Sequence, residues 1–219
     1  LIVLGIETST EVCAVGLAND DGVLAECALI ESHIHSEKLL TLISEVLQQQ
    51  QVKLNELDAI AISIGPGSFT GLRIGLSTAK GLCYALGKPL VAVPTFEAMA
   101  LSACTMHQEI NRLLVCLDAK QGDNYIAGYE KNGNGVVEWL PLSMVKKSYA
   151  DELLAQNNGF VITDRKDVNH ADANALNYAK GSMVAFCGIG RAHKKIFSDI
   201  TSVEPMYLKD FVVNTQPVR

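Results

Sequence analysis

The stretch Leu57-Asp-Ala-Ile-Ala-Ile-Ser-Ile-Gly-Pro-Gly-Ser-Phe-Thr-Gly-Leu-Arg-Ile-Gly75 decides how this chain folds. Its first half, Leu57–Ile64, alternates as a β-strand does. Gly65–Pro66–Gly67 then break the strand, and Ser68 stands where it can cap a helix running towards Leu86. Strand, tight turn and helix make one crossover unit. Upstream, Leu1–Glu7, Cys13–Asn19 and Val23–Ile30 read as three strands, with Asp21–Gly22 as the hairpin turn between the last two. A helix over Ser36–Gln51 follows. Downstream come a strand at Leu90–Val93 and a helix opened by Thr95. The first half is therefore β-β-β-α-β-α-β-α.

A similar order restarts after residue 108. Leu113–Asp118, Tyr125–Tyr129 and Val136–Leu140 read as strands, followed by a helix near Asp151–Gln156 and a strand at Phe160–Thr163. Leu1–Ile6 ending in Glu7 and Leu113–Leu117 ending in Asp118 look like equivalent openings. The pattern predicts an internal duplication of a βββαβα unit. The expected division is residues 1–108 and a smaller, degenerate lobe over residues 109–219, whose tail folds back on the first.

The chain has 219 residues, 48% of them hydrophobic and 19% charged, which excludes a disordered polymer. No apolar run approaches the ~20 residues that span a bilayer, so no membrane role is expected. The net charge is −6, and residues 1–100 account for all of it. Nucleic acid is gripped by clustered Lys and Arg, so RNA is expected only through partners. Six scattered cysteines without a CxxC pair suggest buried thiols in a reducing, cytoplasmic setting.

Two segments could hold an anion. Glu7–Thr8–Ser9 puts an acid and two hydroxyls at a strand end. Gly65, Gly67, Ser68 and Thr70 surround the start of a helix, where free amides and the dipole favour negative charge. Each also reads as an ordinary turn. The histidines in Ser32–His33–Ile34–His35–Ser36–Glu37 lack HExxH spacing and sit at a helix entrance that Ser36 and Glu37 would cap, so no metal site is expected. No nucleophile motif is present, and no catalytic residue is assigned.

The two helices of the first half carry a second signal. Leu39, Leu40, Leu42, Ile43, Val46 and Leu47 form a band too wide for one core stripe. Gly71, Gly75, Ala79 and Cys83 form a stripe of small side chains, with Leu72, Leu76 and Leu82 nearby. A four-helix contact with a second molecule would use both. The alternative is internal burial, for example under Tyr207–Val213. A bulky residue at Gly75 separates the two: an interface predicts a folded monomer, core packing an unfolded one.

Glu7–Thr8–Ser9, His35–Ser36–Glu37–Lys38–Leu39–Leu40, Gly65–Gly75, Leu117–Asp118–Ala119–Lys120–Gln121–Gly122 with Tyr125, and Pro205–Met206–Tyr207–Leu208–Lys209–Asp210 together resemble the bacterial TsaB (YeaZ) family. The resemblance implies an α/β actin-like, sugar-kinase and Hsp70-type fold of two ribonuclease-H-like lobes. It implies a non-catalytic partner subunit in threonylcarbamoyl modification of the tRNA adenosine beside the anticodon, serving as dimerisation platform for a TsaD-like paralogue. A TsaE-like ATPase would join them, and a homodimer would form in isolation. The HxxxH metal pair of TsaD-like proteins is missing. Asp118 is followed by Ala119, Lys120 and Gln121, which lack the hydroxyl and glycine donors of a phosphate loop. No cofactor is therefore expected, except a nucleotide at a partner boundary. Alternatives are an ATP-dependent phosphotransferase of the same superfamily and, below it, a glycoprotease-type metallopeptidase.

Overall fold

Two runs of apolar strands, each opening a unit, build two sheets in the computed structural model, which describes residues 1–31, 34–157, 159–168 and 174–208. In the first half, strands β1 (Ile2–Glu7), β2 (Val12–Asn19) and β3 (Gly22–Ile30) are antiparallel. They are followed by helix α1 (His35–Gln49), strand β4 (Ala59–Ser63), helix α2 (Phe69–Leu86), strand β5 (Leu90–Val93) and helix α3 (Thr95–Met106). The sheet order is β3-β2-β1-β4-β5, with β4 and β5 parallel to β1.

The second half repeats the design with fewer parts. Strands β6 (Arg112–Lys120), β7 (Asp123–Asn132) and β8 (Gly135–Lys146) are antiparallel, then helix α4 (Lys147–Gln156) leads to β9 (Phe160–Thr163), parallel to β6. Its order, β8-β7-β6-β9, is that of the first four strands of the other sheet. The fold is α/β, as the sequence pattern predicts, and the part common to both halves is β-β-β-α-β, one helix short of the expected βββαβα repeat. Strand β8 runs six residues past Leu140, through Pro141. It is an edge strand, where a missing ladder donor is tolerated.

Cores form on both faces of the first sheet. Leu4, Ile6, Val15, Leu17, Ile60 and Ile62 meet α1 and α2 on one face. On the other, Val3, Ala18, Ala59, Ala61 and Val91 meet helix α5 (Gly181–His193) through Val184, Ala185 and Ile189. This helix from the end of the chain thus covers the first sheet. It packs at backbone distance, since a β-carbon on Gly5 would collide with Gly181 and Ala185, and one on Gly16 with Ser182. Arg191 fixes α5 to α3 by a paired contact with Glu97, Nη1–Oε1 2.9 Å and Nη2–Oε2 2.6 Å.

All six cysteines are buried and unpaired, and burial pushes the thiols of Cys83 and Cys187 up to about 12. Among the described residues no helix is long and apolar enough to cross a membrane. The close approach of α5 is directly testable. Gly5→Val is expected to cost roughly 3 kcal/mol or more, the upper range for overpacking, as read from urea unfolding.

Candidate functional site

Parallel pairing of β1 with β4 brings two loops side by side at the same sheet end. From β1 come Glu7, Thr8 and Ser9, all buried. From β4 comes the glycine-rich turn into α2. Glu7 turns back on its own loop, so that Oε1 accepts from the Ser9 amide and the Ser9 hydroxyl, both at 2.5 Å. Oε2 has no hydrogen-bond partner among the described residues, nor does the Ser63 hydroxyl beside it on β4. Burial holds the Glu7 carboxyl above the usual carboxylate range, partly offset by the bonds from Ser9.

The two loops close on each other. The Ser68 amide donates to the Ser9 carbonyl at 2.6 Å, and Ser68 Oγ caps α2 by accepting from the Gly71 amide at 3.3 Å. The Gly65 amide donates to Thr95 Oγ1 at 3.1 Å, while Thr95 N returns a bond to the Gly65 carbonyl. A β-carbon on Gly67 would collide with Ser9, and one on Gly71 or Gly75 with Thr8. Of the candidate anion-loop residues Glu7, Thr8, Ser9, Gly65, Gly67 and Ser68, the amides of Ser9, Gly65 and Ser68 are bonded within the chain. Gly67 and Gly71 pack on the Thr8–Ser9 backbone, Glu7 Oε2 and Thr8 Oγ1 are buried without a hydrogen-bond partner among the described residues, and Thr70 is exposed. The sequence signal for an anion loop and for a chain-on-chain contact is the same, because both need glycine and free amides.

The second lobe answers with a different chemistry. Asp118, at the matching end of β6, pairs with Lys120 at 2.9 Å, and its amide donates to Asp164 Oδ1 at 2.8 Å. The hydrogen bond from Lys120 holds Asp118 below the usual carboxylate range, whereas burial raises Asp164.

The helix-pair residues divide between core and surface. Leu39, Ile43 and Leu47 on α1 are buried in the first core, as are Leu76, Ala79 and Cys83 on α2. Leu72, Gly71 and Gly75 are buried too. The small-residue stripe faces Thr8 and Ile62 within the chain, so it is not a surface for another molecule. The band on α1 looked too wide because one residue, Leu40, lies off it and is exposed, while Leu82 is half-buried. The exposed residues include Leu40, Thr41 and Ser44 on α1, together with the charged Glu37, Lys38 and Glu45, and Arg73, Ser77 and Tyr84 on α2. Tyr84, 82% exposed, went unnoticed in the sequence. Its position eleven residues after Arg73, three helical turns on, was the signal available.

At the start of α1 the N-cap is Ile34, without a side-chain bond, so Ser36 does not cap the helix. His35 is buried, its Nε2 3.2 Å from the Val12 carbonyl. Ser32 and His33 lie outside the described residues, as do Lys209, Asp210 and the remainder of Tyr207–Val213 beyond Leu208.

Residues 18–213 match the family model for TsaD, tRNA N6-adenosine threonylcarbamoyltransferase. The chain is 36% identical to the TsaB threonylcarbamoyladenosine biosynthesis protein of Escherichia coli, over 61% of this chain and 57% of that protein. It is 33% identical to a tRNA N6-adenosine threonylcarbamoyltransferase of Syntrophobacter fumaroxidans, over 64% of this chain and 45% of that one. It thus spans little more than half the length of the first curated relatives it matches. A Pseudomonas aeruginosa crystal structure, of an uncharacterized protein with similarity to peptidase YeaZ, superposes with TM-score 0.80. That likeness covers 95% of this chain and 99% of the other at 22% identity, and it shows the fold.

Two predictions follow from the closed loops. Gly75→Leu is expected to destabilise the monomer itself, lowering its unfolding midpoint by about 6–12 °C for a ~3 kcal/mol loss. Calorimetry of monomeric protein checks this. Glu7 is neutral in the fold at pH values where the unfolded chain ionises it. Its contribution is full below the unfolded value of 4.5 and declines as pH rises through the raised folded value. Glu7→Gln is therefore expected to flatten the stability profile on that rising side, as followed by urea midpoints from pH 4 upwards.

Proposed function

The chain belongs to the tRNA N6-adenosine threonylcarbamoyltransferase family, on its TsaB/YeaZ side, and from that premise we propose that it is the non-catalytic partner subunit of the modification. In this reading it works in the cytoplasm beside a larger TsaD-like paralogue that performs the transfer, with a TsaE-like ATPase joining them. tRNA is held by the assembly, and a nucleotide, if one is used, sits at the boundary with a partner. The role of this chain is to present a surface.

The observation that supports the reading is the closure of the first-lobe loop. Transfer chemistry in a two-lobed cleft needs positioned donors facing the reacting group. Here the Ser68 amide is bonded to the Ser9 carbonyl, and Gly67 and Gly71 abut the Thr8–Ser9 backbone. A phosphate entering the turn would have to displace the chain's own carbonyl groups. Across the cleft, Asp118 is paired with Lys120. Among the described residues no group of three His, Cys, Asp or Glu side chains is placed to hold a metal ion. What remains is the outer face of α1 and α2, where Leu40 and Tyr84 are exposed at 64% and 82%. Exposed apolar and aromatic side chains on a helical face are common interface anchors.

The test compares three mixtures on unmodified tRNA with a threonylcarbamoyl donor, scored by nucleoside chromatography. The chain alone is expected to form no product. The paralogous transferase of the same organism is expected to gain activity when the chain is added, and to co-elute with it. Turnover by the chain alone, surviving chelation and repeated purification, would overturn the reading. So would a transferase indifferent to its presence.

A further inference from the structure

Arg73 stands on the outward face of α2 and is held there by three contacts. Its Nε donates to the Tyr207 hydroxyl at 2.9 Å. Its guanidinium carbon lies 3.9 Å from the centre of the Phe69 ring and 5.8 Å from that of Tyr207. The two rings are 5.3 Å apart. Tyr207 is itself anchored, because the amide of its neighbour Met206 donates to the Ile64 carbonyl at 2.7 Å. The end of the described chain thus straps across the turn before α2 and reaches the arginine.

This is an unusual state for an exposed arginine. A long side chain loses rotamer freedom when pinned, and here ring stacking and one hydrogen bond, with no ion pair among the described residues, hold it. Among the described residues no carboxylate pairs with Arg73, and Nη1 and Nη2 make no hydrogen bond. The stacked rings and the Tyr207 hydroxyl use one guanidinium face and one donor. The terminal fork remains, and a planar fork of this kind matches the two oxygens of a carboxylate.

We infer that Arg73 is a preorganised clamp for a carboxylate of a partner protein docking on the α1/α2 face. The inference rests on the partner-subunit reading and assigns that surface its specificity residue, with Phe69 and Tyr207 as positioning residues. The charge pattern selects the ligand. The outward positions of α2 are Thr70, Arg73, Ser77, Gly81, Tyr84 and Ala85, among which Arg73 is the one charge. Lys80, half-buried, lies towards Asp199. A single cation on the outward side of α2, beside an α1 that exposes Glu37, Lys38 and Glu45, lacks the clustered positive charge by which proteins hold RNA. It suits one acidic side chain at the edge of an apolar contact, where a rigid arginine adds affinity with little ordering cost on binding.

The experiment titrates the paralogous transferase of the same organism against the full chain by calorimetry, at two salt concentrations. Arg73→Ala is expected to weaken binding about tenfold or more, and Arg73→Lys to restore little of it, because an ammonium cannot fork. Tyr207→Phe keeps the ring and removes the anchoring hydroxyl, with an expected weakening of about three- to fivefold. Combined with Arg73→Ala it should add almost nothing, since both act through one group. Unfolding midpoints close to wild type separate these losses from misfolding. Absence of wild-type binding overturns the partner reading and the clamp with it. Wild-type binding that Arg73→Ala leaves intact overturns the clamp alone. So does salt-sensitive tRNA binding by the isolated chain that Arg73→Ala abolishes, or loss of self-association with transferase binding unchanged.

Discussion

The backbone of Thr8 and Ser9 lies against the glycine face of α2, and the arrangement of the first lobe depends on that contact. Gly67, Gly71 and Gly75 follow at intervals of four, so they stack on one side of the turn and helix, and a β-carbon at any of them would strike Thr8 or Ser9. Two of these glycines lie inside the helix, each costing about 1 kcal/mol relative to alanine. Helix propensity alone would remove them. They are retained where the parallel pairing of β1 and β4 forces the ends of two strands, and the loops beyond them, into one small volume. The loops can coexist only if one of them has no side chains on the shared side.

The second lobe meets the same geometry differently. Its β6 and β9 are also parallel neighbours, and Asp118 and Asp164 arrive at the same sheet end. Two acids are brought together there, and Lys120 pairs with one of them. Lys120, Gln121 and Gly122 all adopt positive φ, a run that two non-glycine residues rarely enter. One lobe thus fills its strand ends with backbone and hydroxyls, the other with an ion pair. The asymmetry extends to α5, which leaves the second half of the chain and covers the first sheet.

Much of this was legible because strand and helix periods differ so clearly. Leu57–Ser68 announced strand, turn and cap, and Ser68 does cap α2. The repeated order of elements was readable for the same reason. The faces were harder. Leu39, Leu42, Ile43, Val46 and Leu47 make one core stripe, and the stray Leu40 made it look double. Periodicity says that a small stripe is packed closely, but not against what. For Gly71 and Gly75 the neighbour is Thr8, in a loop more than sixty residues earlier, which no local pattern encodes. The clamp around Arg73 was illegible for a like reason, because its other half is Tyr207, 134 residues away.

The inner closure and the outer clamp belong to one element. The turn at Gly65–Ser68 is held from inside by Ser9 and Thr95, and from outside by Met206 through Ile64. Arg73 and Gly75 are two residues apart on α2, so they point to opposite sides of the same helical turn. Whatever fixes the rotation of α2 about its axis on the Thr8 side also fixes where the guanidinium stands on the outer side. A helix free to rotate or slide would carry Arg73 out of reach of Tyr207, and the pinned geometry would be lost without any change at the surface. The Gly65–Ser68 turn is bonded to Ser9 and Thr95 of its own chain. By binding its own chain, it turns the first helical turns of α2 into a rigid mount for the residues that face outward.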